Sequence, residues 1–232
     1  MSNLRLFHLD NIIENTTSLL SKEHTHYVVN VMRLKRGSNL NFFNKSGEWL
    51  SEIVFLDRDR VEVKILDKIK EPTITSNIEL AICLVKKTPM ETILQKATEL
   101  GVSKIVPIIS DRTEIKELNF ERANKIVIEA TEQSNQMSPP EISKVIKLKN
   151  YIEALESKIL FFADVNSSNK LEPKNFKSGT INCILIGPEG DFSPPEREYI
   201  LKKSIVVPFS LSKNILRADT AVISAISLVN FI

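Results

Sequence analysis

The chain has 232 residues, 42% of them hydrophobic and 26% charged, with a formal net charge of +2. That is ordinary globular composition, long enough to bury a real core in one large or two smaller domains. The near-balance of charge excludes whole-protein electrostatics as the basis of nucleic-acid binding, which must rest on local patches, and no apolar run approaches the length of a membrane span. Cys83 and Cys183 lie inside apolar strand-like runs, so buried thiols are expected rather than a disulfide or a metal pair. No signal-peptide pattern opens the chain, and a soluble cytoplasmic protein is the default expectation.

In chain order, residues 1–72 read as β-rich. Short apolar pieces at 39–43 (NLNFF), 49–56 and 60–66 (RVEVKIL) are separated by turn signals at 45–47 and 57–59, as in a small barrel. His26 to Gly37 (HYVVNVMRLKRG) is an apolar stretch ending in Arg33, Lys35 and Arg36. It reads either as an amphipathic helix with solvated cations or as a basic rim placed to meet phosphates. His8, His24 and His26 lack metal-ligand spacing, and no metal is expected. Residues 71–76 contain Pro72 and small polar residues, which places a domain boundary after residue 72.

Beyond it the pattern becomes strand, helix, strand. Residues 78–85 are apolar except for Glu79, close to a strand buried on both faces. Thr88-Pro89-Met90-Glu91 predicts a capped helix start, and Gly101 a helix end. Residues 105–109, 158–165, 181–186 and 205–209 read as strands. Residues 119–134 and 220–231 read as helices, and Ser193-Pro194-Pro195-Glu196 repeats the capped start. Such alternation predicts an α/β parallel sheet with helices on both faces.

Two loops stand out. Gly187-Pro188-Glu189-Gly190 follows a buried strand and precedes a well-specified helix start. It is either a structural turn or a loop that lets a ligand approach main-chain groups. Residues 211–221 (LSKNILRADTA) place the apolar Ile215 and Leu216 in a loop, followed by Arg217 and Asp219. The apolar pair reads as a helix plug or a pocket wall, and Asp219 as a partner of the helix dipole or of a group-transfer site. The fingerprints of Rossmann, P-loop, zinc-protease and serine-hydrolase sites are absent.

LIGPEGDFSPPE followed by LSKNILRADTA resembles the C-terminal motif pair of the RsmE family, SPOUT-class methyltransferases that modify small-subunit ribosomal RNA. HYVVNVMRLKRG, METILQKATELGVSKIVP and EATEQS match further family segments in the same order. The resemblance implies a PUA-like, RNA-binding β-barrel over residues 1–72. Over residues 73–232 it implies an α/β SPOUT domain whose C-terminal segment is threaded into a trefoil knot. It also implies S-adenosylmethionine as cofactor, N3 of a uridine in 16S ribosomal RNA as target, and a homodimer.

By position, Leu185, Gly187, Gly190, Leu211, Ile215 and Leu216 would hold the methyl donor, and Arg33, Lys35, Arg36 and Lys86 would contact RNA. The uridine N3 proton must leave during transfer. Glu189 and Asp219 are the candidate bases, and Arg217 is placed to stabilise charge on a uracil carbonyl. The chain departs from the family pattern at Gln136, Ser212, Asn214, Ala218 and Asp219, with a cation replaced at Gln136 and at Asn214. The alternatives are an RNA-binding or ribosome-assembly protein that keeps the fold without catalysis, and a methyltransferase with another RNA target.

Overall fold

The computed structural model describes residues 4–72, 76–156, 158–177 and 179–232. The chain forms two compact units: Met1–Ile74 with Thr131–Ser138, and Thr75–Ala130 with Pro139–Ile232. Part of the expected linker, residues 73–75, lies outside the described residues.

In the first unit, β1 (Leu4–Phe7), β2 (Thr17–Leu19), β3 (Asn39–Asn44), β4 (Gly47–Leu56) and β5 (Val61–Lys70) make one sheet in the order β1-β3-β4-β5-β2. The β3–β4 hairpin closes over Lys45 and Ser46, with Asn44 opposite Gly47 at φ 145°. Alternation in β5 buries Val61, Val63 and Ile65 against Leu6, Phe42 and Ile53. The short β1 and β2 have too few residues for periodicity to reveal them.

The segment 26–37 is not one amphipathic helix. A short α1 (Lys22–His26) runs into a single π turn at Tyr27–Val31, and Arg33 then takes a left-handed φ of 52°. Arg33, Lys35 and Arg36 therefore sit beyond the helical part, exposed on a turn in which Ser38 Oγ accepts from Lys35 N–H.

The second unit contains β6 (Ile78–Cys83), α2 (Lys87–Glu99), β7 (Lys104–Ile109), α3 (Phe120–Gln133), β8 (Glu141–Ile142), β9 (Ile146–Lys147) and α4 (Leu148–Glu153). After these come β10 (Ile159–Ala163), β11 (Asn182–Ile186), α5 (Pro194–Leu201), β12 (Val206–Phe209) and α6 (Ala218–Phe231). The last residues of α3 fall in the first unit. The strands are parallel in the order β12-β10-β11-β6-β7-β8, with β9 also on β7. Hydrophobic residues of α2, α3 and α6 cover one face of the sheet, and those of α4 and α5 the other. This is the doubly covered sheet expected from the alternation of strands and helices.

The one acid in β6 is paired. Buried Glu79 accepts from Tyr151 Oη at 2.9 Å and from Lys158 Nζ at 2.9 Å. Partial burial would lower the Lys158 pKa, but these bonds prevail and raise it.

Two helix starts can be compared with their expected caps. Ser193 caps α5 as predicted, accepting from Glu196 N–H while the Glu196 carboxylate accepts from Ser193 N–H. Thr88 does not cap α2. The helix begins at Lys87 with Lys86 as an unassisted N-cap, so Pro89 occupies its third position. A first-turn proline removes only an N–H that has no helical partner, so the helix extends back past it.

Candidate active site

All the long parallel strands end on the same edge of the sheet, where open α/β sheets bind ligands. Leu185 of β11 pairs with Phe162 of β10, which in turn pairs with Pro208 of β12. Gly187 and Ser210 therefore leave the sheet at the same level, two strand spacings or about 10 Å apart. The register thus brings the two conspicuous loops together on one edge.

In the first loop, Asp191 N–H donates to Pro188 O at 2.9 Å, closing a turn around Glu189 and Gly190. The left-handed residue is Asp191, at φ 58°, and neither glycine has a positive φ. Asp tolerates this conformation because its carboxylate bonds locally, here accepting from Phe192 N–H at 2.8 Å. Gly187 sits close against the core: a Cβ there would lie 3.1 Å from the ring of Phe192, which is buried against Phe162 and would have to shift by a few tenths of an ångström. At Gly190 a Cβ would meet only the Arg112 stem, at 3.7 Å. Glu189 is exposed.

In the second loop, Leu211 and Leu216 are half-buried and pack on the core beneath α6, whereas Ile215 is 92% exposed. The N–H groups of Leu211, Ile215 and Leu216 have no partner among the described residues. Arg217 is the N-cap of α6, yet its exposed side chain makes no cap bond. The helix begins at Ala218, two residues before the expected start, which puts Asp219 in its first turn. The Asp219 carboxylate accepts from Thr220 N–H at 2.8 Å.

Leu185 is fully buried, so its side chain faces the core and not the loops. Lys86 is exposed on the same sheet edge, and Arg33, Lys35 and Arg36 belong to the first unit. Burial pushes both cysteine thiols up to about 12, which keeps them protonated and unreactive at neutral pH. Among the described residues no group of three or more His, Cys, Asp or Glu is placed to hold a metal, and no helix is long and apolar enough to cross a membrane.

Sequence reasoning missed two polar strand ends on this edge. After β10, buried Asp164 accepts from Arg197 Nε at 3.1 Å and Nη2 at 2.7 Å, tying β10 to α5. After β7, Asp111 and Arg112 reach the Gly-Pro-Glu-Gly loop and α5. An open cavity of about 620 Å³ beside α5 is lined by Arg112, Asn166, Asp191, Phe192, Arg197 and Lys202, among others. The only sequence signal was an abrupt change from apolar to polar residues at each strand end.

Burial alone would raise the Asp164 pKa, but the Arg197 bonds and the Asn166 N–H outweigh it and hold the carboxyl below its usual range. A depressed folded-state pKa gives stability that is complete above the unfolded value, about 4, and lost as pH falls through the folded value. Asp164→Asn is expected to cost about 1–3 kcal/mol at pH 7. It should also flatten the acid limb, so that thermal unfolding of the two proteins begins to converge below about pH 4 and meets once pH has fallen through the depressed folded-state pKa. Parallel pH profiles would show that the pair contributes nothing specific.

A family model for an RNA methyltransferase domain matches residues 70–230, and one for an RNA methyltransferase PUA domain matches residues 20–66. The chain is 33% identical to the Ribosomal RNA small subunit methyltransferase E of Rickettsia conorii, covering 98% of this chain and 95% of that protein. It also resembles the structure of a Legionella pneumophila methyltransferase in complex with SAM, with a TM-score of 0.87, 26% identity and coverage of 99% and 98% of the two chains. The corresponding enzyme E from Neisseria gonorrhoeae, bound to S-adenosyl methionine, gives a TM-score of 0.85 at 26% identity, covering 97% and 96%. The chain, a parallel α/β sheet with an N-terminal PUA-like unit, therefore belongs to the RsmE family of RNA methyltransferases.

Proposed function

We propose that the protein transfers a methyl group from S-adenosylmethionine to N3 of a uridine in 16S ribosomal RNA of the small subunit, in the cytoplasm. The observation that carries this reading is the pairing of the two loops on one sheet edge. One offers exposed main chain at Gly190, and the other offers apolar side chains and free N–H groups. That combination fits a neutral heterocycle with a thioether tail, read through backbone hydrogen bonds and apolar contact. Gly187, Gly190, Leu211, Ile215 and Leu216 would hold the donor, and Leu185 would act only through its backbone and by supporting the turn.

The bound donor supplies an electrophilic methyl group on a sulfonium. The chain must position the uracil, accept or relay the N3 proton, and stabilise the negative charge shared with the ring carbonyls. Arg217 suits the last task, because it is exposed and makes no cap bond. Glu189 is an exposed carboxylate available as base. Asp219 already accepts from its own helix start, which favours a supporting role.

The residue 1–72 unit would carry the RNA through Arg33, Lys35 and Arg36, with Lys86 adding a cation at the sheet edge. A trefoil knot is what membership of the family implies for this C-terminal segment, in which Ser210 N–H, just past β12, donates to Asn169 O of the connection after β10 at 2.8 Å. A homodimer is supported by the exposed apolar Ile223, Leu228 and Phe231 of α6, which lie outside and beside its buried face.

The test has two arms. Calorimetry with S-adenosylmethionine should show binding, and its absence would leave the non-catalytic RNA-binding reading. Mass spectrometry of ribosomal RNA from cells lacking the protein should show loss of one 3-methyluridine. Loss of a different modification would point to another target.

A further inference from the structure

The Gly-Pro-Glu-Gly turn is exposed at Glu189 and Gly190, so its shape must be set from outside. The peptide between Gly190 and Asp191 is fixed at both ends. Its N–H donates to Pro188 O at 2.9 Å, and its carbonyl accepts from Arg112 Nη1 at 2.8 Å. A planar peptide held at both ends cannot rotate.

The group that applies this hold is itself anchored. Ser110 N–H donates to Thr113 Oγ1 at 2.9 Å, with both residues buried. Asp111 N–H donates to Glu196 Oε1 at 2.8 Å, and Ser193 Oγ donates to Asp111 Oδ2 at 2.7 Å. The loop after β7 therefore grips both the turn and the first turn of α5.

We infer that Arg112 is a positioning residue for the methyl-donor loop, acting through the Gly190 carbonyl without touching the reacting atoms. This rests on the assignment of that loop to donor binding. Without Arg112 the turn samples other orientations, and the donor must meet the cost of ordering it on binding. The effect falls on donor affinity and spares turnover once the donor saturates.

The decisive variant is Arg112→Met, which keeps the stem against Gly190 and removes the donor nitrogens. Its Kd for S-adenosylmethionine is expected to rise about tenfold, the weight of one charge-assisted hydrogen bond. Its kcat at saturating donor should stay within about twofold of the native value, with Arg112→Lys recovering most of the affinity. Amide exchange at Asp191 should accelerate about tenfold by the same arithmetic. Unchanged affinity, or a fall in kcat at unchanged affinity, overturns the inference. If the native protein binds no donor, the donor assignment fails by itself, and Asp191 exchange still decides whether Arg112 holds the turn. Thermal unfolding should fall by no more than a few degrees, because the loss is confined to one bond on an exposed turn.

Discussion

Replacing Arg217 by alanine is expected to lower methyl transfer by about 100- to 1,000-fold while leaving S-adenosylmethionine affinity within about threefold. The geometry separates the two effects. Arg217 stands at the N-cap of α6, but its side chain makes no bond to the helix, so its removal disturbs neither the helix start nor the Leu211 and Leu216 contacts beneath it. What disappears is the guanidinium proposed to stabilise charge on the uracil. Single-turnover transfer to small-subunit RNA and calorimetry with the donor make the comparison. Equal loss of both quantities would make Arg217 a structural part of the pocket, and no loss of transfer would remove it from the chemistry.

Arg5→Met is expected to destabilise the first unit by about 3–5 kcal/mol. Arg5 is 9% exposed and pairs with buried Glu48 at 3.1 Å, its guanidinium 4.0 Å from the centre of the Phe43 ring. Its remaining nitrogens donate to the carbonyls of Thr131, Glu132 and Gln136, at 3.3, 3.3 and 2.9 Å. Two of these carbonyls belong to the end of α3, where helical partners run out. Methionine fills the stem volume but leaves the buried Glu48 carboxylate without its cation, still accepting from Asn41 Nδ2 at 2.7 Å. The double variant with Glu48→Gln should recover a large part of the loss, because it removes the uncompensated charge. Denaturant unfolding measures both, and a cost below about 1 kcal/mol for the single variant would mean that water replaces the arginine at little penalty.

The same cluster recasts one departure from the family pattern. Gln136 stands where the family pattern has an arginine, yet its carbonyl is part of the Arg5 cluster within the first unit. The main chain of this segment thus has a structural task whatever side chain position 136 carries. Ser212 Oγ accepts from Asn214 N–H at 3.0 Å, a bond that closes a local turn in the second loop, and nothing in the structure explains Ala218.

The chain by itself determined what depends on near neighbours. Periodicity and turn residues placed the hairpin over Lys45 and Ser46, the buried strands and the Ser193–Glu196 cap, because each is a matter of bonds or burial within a few residues. The two unusual loops were equally legible, since glycine, proline and misplaced apolar residues are conspicuous after a strand. The tertiary structure alone decided what those loops lean on. Arg112 meets Gly190 across 78 positions, Asp164 meets Arg197 across 33, and Arg5 meets Gln136 across 131. A polar side chain at a strand end carries no periodicity and has many partners in principle. Only the strand order, which sets β7, β11 and β10 on one edge, selects the partner it finds. Leu185 is buried for the same reason: β11 lies between β10 and β6 and is covered on both faces, so all of its residues are buried.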